Sequence, residues 1–90
     1  MYEVITTKSF EKDVLMCAKR GLKIDLLYEA IAVLGKFGSL PPSYKSHLLS
    51  GKQSGRWECH IKPNWLLIWV KDENLKEITL IATGTHSDLF

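Results

Sequence analysis

An α+β domain is what this 90-residue chain predicts, and three observations carry it. A short β-branched segment opens the chain, two amphipathic helical stretches follow, and beyond Pro42 the apolar period falls from about 3.6 to about 2. Helices that precede a run of strands with hairpin-sized connections pack on one face of a largely antiparallel sheet. The expectation is therefore an N-terminal strand, a two-helix antiparallel hairpin and a sheet of about four strands, all in a single domain over residues 1–90.

Tyr2 to Thr7 is rich in β-branched residues and suits a first strand ending near Lys8. Ser9 can cap the helix that follows, in which Phe10, Val14 and Cys17 form an apolar stripe. Gly21 is placed to close that helix in a left-handed conformation. A second helix reads from Ile24 to Lys36, with Ile24, Leu27, Ile31 and Leu34 on one face and Gly35, Gly38, Pro41 and Pro42 marking its end. So short a link between the helices makes them antiparallel neighbours. Ser43 to Ser54 is polar and mixed, with room for one short strand inside a loop. Arg56 to Lys62 alternates, Trp57, Cys59 and Ile61 against Arg56, Glu58, His60 and Lys62. Pro63-Asn64 turns the chain into Trp65–Val70, an apolar run expected of a central strand covered on both faces. Asp72-Glu73-Asn74 turns it again, Glu77 to Thr83 makes the last strand, and Gly84 to Phe90 reads as a loop lying across the sheet.

Hydrophobic residues at 46% and charged residues at 24% are ordinary globular usage, which argues against disorder. No apolar run approaches the roughly 18 residues of a membrane span, and Met1 to Asp13 has no basic-then-apolar leader, so a cytoplasmic protein with no membrane partner is expected. Cys17 and Cys59 are far apart with no CxxC, and read as small buried apolar residues. The net charge of +2 is unevenly spread. Lys45, Lys52, Arg56 and Lys62 face only Glu58 as an acid between positions 45 and 62, a local +3 suited to a phosphate-facing surface.

All three histidines, His47, His60 and His86, follow the helices, in separate segments that a small sheet can bring together. Zinc ligation is disfavoured, because HxH and HxxxH spacings are absent and strand neighbours Cys59 and His60 face opposite ways. Ser87, His86 and Asp88 are too close in sequence to meet as a triad, and no GxGxxG or P-loop is present. No cofactor is called for. The pattern suits cleavage of RNA by its own 2′-hydroxyl without a metal, which needs a base, an acid and cations around a crowded phosphorus centre. Histidine fills either proton-transfer role near neutral pH, and Trp65, Trp57, Tyr44 and Phe90 are candidates to stack on unpaired bases.

Three ordered blocks carry a family resemblance: Tyr44 to Gly51, Glu58 to Ile68, and Gly84 to Phe90. Together with Lys8 to Asp13, they make the chain resemble, over nearly its whole length, the YafQ branch of the RelE/ParE toxin superfamily. The resemblance implies a RelE-like fold and a type II toxin that cleaves messenger RNA in the ribosomal A site. It also implies a cognate antitoxin as partner, with the paired complex binding operator DNA. It makes His47, His60 and His86 the catalytic histidines, His86 as general acid and His47 and His60 orienting or deprotonating the nucleophile. Trp65 and Phe90 match the branch's aromatics and, with Lys45, Lys52, Arg56 and Lys62, are expected to bind RNA. Two departures stand out: Asn64 replaces a usual aspartate and Ala82 an arginine of some members. Asn64 can orient a group at the catalytic site but cannot accept a proton. Trp57 stands where an arginine is common. The competing readings are a catalytically weak or inactive module of the same fold that only binds an antitoxin, and a ParE-like gyrase inhibitor, which has no use for three histidines.

Overall fold

A computed structural model describes residues 1–90. Its elements run in the order β1 (Glu3–Ile5), α1 (Lys8–Lys19), α2 (Ile24–Phe37), β2 (His47–Leu48), β3 (Trp57–Lys62), β4 (Trp65–Asp72), β5 (Glu77–Gly84) and α3 (His86–Leu89). Single 3-10 turns at Pro42–Tyr44 and Gly51–Gln53 flank β2. The sheet has five strands in the order β1-β5-β4-β3-β2. All neighbours are antiparallel except β1 and β5, which pair in parallel with Val4 opposite Ile78. The additional strand is the two-residue β2, from the polar segment that left room for one.

Thr7, rather than Ser9, caps α1. Its hydroxyl accepts the Phe10 N–H at 3.1 Å and donates to the Leu80 carbonyl at 3.1 Å, so the cap also anchors the helix to β5. Ser9 lies inside the helix. Gly21 follows with φ 84, the left-handed closure expected. Helix α2 runs through Gly35 to Phe37 because Gly35 serves packing, not termination. Its carbonyl accepts the Tyr2 N–H at 2.8 Å, and a Cβ there would lie 2.9 Å from Val4. Gly38 ends the helix at φ 74, where a side chain would collide with the Tyr2 ring.

Strand β4 is the middle of the sheet and is buried from Trp65 to Trp69. Trp65, Leu67 and Trp69 join Phe10 and Cys17 of α1, Leu27 and Leu34 of α2, and Cys59, Ile78 and Leu80 in one core. Leu66 and Ile68 are buried on the other face. Trp57 and Ile61 pack against the core as the alternation predicts, and Trp57 stacks on Trp69 with centroids 6.2 Å apart. Near the Pro63-Asn64 turn the register slips by one residue, so that His60 opposes Leu66 while Lys62 opposes Trp65, a bulge in β3. The tail departs from the expected loop. Thr85 and Asp88 form a reciprocal capping box that winds His86–Leu89 into one helical turn.

No helix is long and apolar enough to cross a membrane. Both cysteines are buried, and burial pushes the Cys59 thiol up to about 12. Neither thiol should react with a disulfide reagent in the folded protein at mildly alkaline pH, and both should react once it is denatured; rapid labelling of native Cys59 would contradict this packing.

Candidate active site

The face of the sheet opposite the helices is set by register. His47 lies across from Glu58, and His60 is two residues further along the same strand face. Glu58 opposes Ile68, which opposes Ala82, so Ala82 belongs to the same cross-strand row. His60 opposes Leu66, which opposes Gly84, and this leads directly into the C-terminal turn. The sheet thus delivers His60 and His86 to one place, with ring centroids 6.0 Å apart. Phe90 completes the line at 6.5 Å from His86 and is 59% exposed.

Hydrogen-bond partners distinguish the three rings. His60 Nδ1 lies 3.3 Å from the Pro63 carbonyl, which can only accept, so Nδ1 carries hydrogen and Nε2 is left open. Asn64 Oδ1 accepts from the His86 backbone N–H at 3.4 Å and meets His86 Nδ1 at 3.2 Å. An obligate backbone donor fixes the oxygen of the amide on this side, so Nδ1 of His86 also donates and its Nε2 is open. His47 differs. Its Nδ1 faces the Lys45 carbonyl at 3.1 Å and its Nε2 faces the Glu58 carboxyl at 3.3 Å. Both nitrogens of His47 therefore face protein oxygens, whereas His60 and His86 each have one nitrogen without a protein partner.

Lys45 and Lys62 line a cleft of about 290 Å³ with His60, Ser43, Ile61 and Pro63. Lys45 adopts φ 54, and this left-handed backbone sits between the Pro42–Tyr44 turn and the carbonyl that holds His47. Lys52 and Arg56 lie outside this cleft. Lys52 is exposed on the turn after β2, while the Arg56 guanidinium donates to the Gln53 side chain at 3.0 Å and braces that turn. Trp65 requires a correction. It is 2% exposed, in the core on the helical side, and its indole N–H donates to the Thr83 hydroxyl at 2.9 Å. It cannot stack on a base from there. Trp57 is likewise turned toward the helices, over Trp69.

Two features escaped the sequence reading. Glu58 is 5% exposed and has His47 as its ion-pair partner, although it reads in sequence only as one acid among bases. Its parity with His60 along the strand was the available signal. The second is the tail: Thr85-x-x-Asp88 is a capping-box spacing. Asp88 also receives two bonds from Arg20, at 2.5 and 3.1 Å. The Arg20 guanidinium and the Thr85 N–H hold the Asp88 carboxyl well below the usual carboxylate range. Because the folded value lies below the unfolded one, this tie contributes above the ordinary carboxylate range and is lost as pH falls toward strong acid.

A family model for the YafQ toxin, a bacterial toxin of type II toxin–antitoxin systems, matches residues 2–90. The mRNA interferase toxin YafQ of Escherichia coli K12 is 33% identical over 82 residues, covering 90% of this chain and 87% of that protein. Among solved structures, a metal-bound toxin from Helicobacter pylori is 36% identical over the whole of both chains, with TM-score 0.89. The E. coli DinJ–YafQ complex is 30% identical, covers 100% of this chain and 99% of that one, and has TM-score 0.89. In this chain no group of three or more His, Cys, Asp or Glu side chains is placed to hold a metal ion. A five-stranded sheet with two helices on one face and histidines on the other is the RelE-like toxin fold. Within it, the chain belongs to the YafQ family of bacterial type II toxins.

Trp65→Phe should cost about 1–3 kcal/mol in urea unfolding, by leaving the buried Thr83 hydroxyl oxygen without its donor and opening core volume. Unchanged stability would place the indole at the surface instead.

Proposed function

We propose that this chain is an mRNA interferase that cleaves translated messages in the ribosomal A site, and that a cognate antitoxin neutralises it. The observation that carries this reading is the pair His60 and His86, 6.0 Å apart, each pinned through Nδ1 to a fixed oxygen with Nε2 open. That is the arrangement of a proton acceptor and a proton donor on either side of one phosphate. The relatives named mRNA interferase toxins support the substrate, and the E. coli DinJ–YafQ complex supports an antitoxin partner.

In the proposed step, His60 Nε2 takes the 2′-hydroxyl proton as that oxygen bonds to phosphorus. The bond to the 5′-oxygen breaks, and His86 Nε2 delivers a proton to it. The products are a 2′,3′-cyclic phosphate and a 5′-hydroxyl. Lys45 and Lys62 draw the phosphate into the cleft and stabilise its added charge. His47 faces Glu58 across the strand pair, on the same sheet face as His60, and would orient the nucleophile rather than take its proton. Phe90 offers an exposed ring for a base next to His86. Asn64 orients His86 by hydrogen bonding alone. The antitoxin would lay a segment over the basic Lys52–Lys62 region and exclude RNA, and the paired complex would bind operator DNA.

With programmed ribosomes and 5′-end mapping, His86→Ala and His60→Ala should each slow cleavage by about 10²-fold or more, and His47→Ala by about tenfold. Equal losses at His47 and His60 would contradict the assigned division, and full activity without His86 would contradict the chemistry. A folded parent that binds antitoxin but never cuts would establish the inactive module instead. Asn64→Asp keeps both contacts to His86 and adds a carboxylate that favours the imidazolium, so cleavage should persist to higher pH. A profile that does not move would show that position 64 acts through geometry alone.

A further inference from the structure

The C-terminal turn presents a mechanical problem. Four residues cannot hold a helical turn in place by backbone bonds, since nucleation costs more than one turn returns. The Thr85–Asp88 capping box fixes the shape of the turn but not its position on the sheet. Two side-chain contacts fix position. Asn64 holds His86 directly, and Arg20 reaches from the C-cap of α1 to grip both oxygens of Asp88, 68 residues away in sequence.

We infer that Arg20 and Asp88 are positioning residues for the cleavage step, their bidentate pair tying the last turn to α1 and so setting where His86 Nε2 stands. The inference rests on the nuclease reading above. Arg20 is placed to act through Asp88: it lines a cleft with Asp13, Cys17, Thr83 and Asp88 itself that holds none of the three histidines. Asp88 is folded back over Gly84, where a Cβ would stand 2.8 Å from its carboxylate oxygen, so chain direction and ion pair converge on one carboxylate. His86 is two residues from Asp88 in the same turn. Displacement of a general acid by about 1 Å is enough to cost on the order of 10²-fold in rate. The pair itself is partly exposed, with 43% and 30% of the two side chains accessible, so its removal should leave global stability nearly intact.

The test uses two variants, Asp88→Asn, which keeps an oxygen for the Thr85 N–H, and Arg20→Gln, which leaves the tail sequence untouched. Each is compared with the parent and His86→Ala on programmed ribosomes, using a natural message and one with sulfur in place of the 5′-bridging oxygen at the cut site. A thiolate departs without a proton, so defects that act through the general acid disappear. We expect both variants to melt with the parent, to cleave the natural linkage about tenfold or more slowly, and to return to within about twofold of the parent on the sulfur linkage, as His86→Ala does. Parental rates on the natural linkage, or a loss that persists on sulfur, would overturn the positioning role. No cleavage by the parent, or cleavage indifferent to His86→Ala, would instead overturn the nuclease reading.

Discussion

Everything in this protein is arranged around a central strand that must be covered on both faces. Strand β4 has no polar side to offer water from Trp65 to Trp69, so one face takes the two helices and the other must be closed by the sheet's own residues. Ninety residues leave no third layer to do so. The second face is consequently shallow, flanked by Glu58 and His60 on one side of β4 and Ala82 and Gly84 on the other. A small body with an unroofed, polar-edged sheet face is a good shape for reaching a substrate that something else holds still.

The parts of the site come from places with little structure of their own. His47 is on a strand of two residues, Lys45 sits in a left-handed turn, and His86 belongs to a single helical turn. Each of the three histidines faces a protein oxygen: the Lys45 carbonyl and Glu58 for His47, the Pro63 carbonyl for His60, Asn64 for His86. This accounts for the apparent loss at Asn64. A neutral amide lacks the charge of aspartate, yet it orients the ring with the same oxygen. Ala82 lies in the cross-strand row that runs through Ile68 and Glu58 to His47, so it adds no charge to that row and His47 is the ion-pair partner of Glu58.

Much of the fold was legible because burial is periodic. The stripe of Phe10, Val14 and Cys17, the alternation through Trp57, Cys59 and Ile61, and the apolar run at Trp65 each correspond to an element found in place. The five-strand sheet and the short tail helix were harder to read, since two-residue strands and single turns owe their existence to tertiary partners. Ser9 and Thr7 are both cap-type residues, and Thr7 takes the position because its hydroxyl also reaches the Leu80 carbonyl that β5 presents. At the site, residue types were legible and roles were not. Trp65 looks the same in sequence whether it stacks on a base or fills the core, and only the Thr83 hydroxyl beneath the sheet decides it. Glu58 was invisible as a partner because its pairing with His47 crosses a strand boundary that the polar loop obscures.

If His60 and His86 move protons on opposite sides of one phosphate while the RNA attacks itself, the chemical ends left on a message cut during translation record it. The expected ends are a 2′,3′-cyclic phosphate on the upstream fragment and a 5′-hydroxyl on the downstream one. A 3′-hydroxyl with a 5′-phosphate would mean that water, not the ribose, is the nucleophile, and would contradict it.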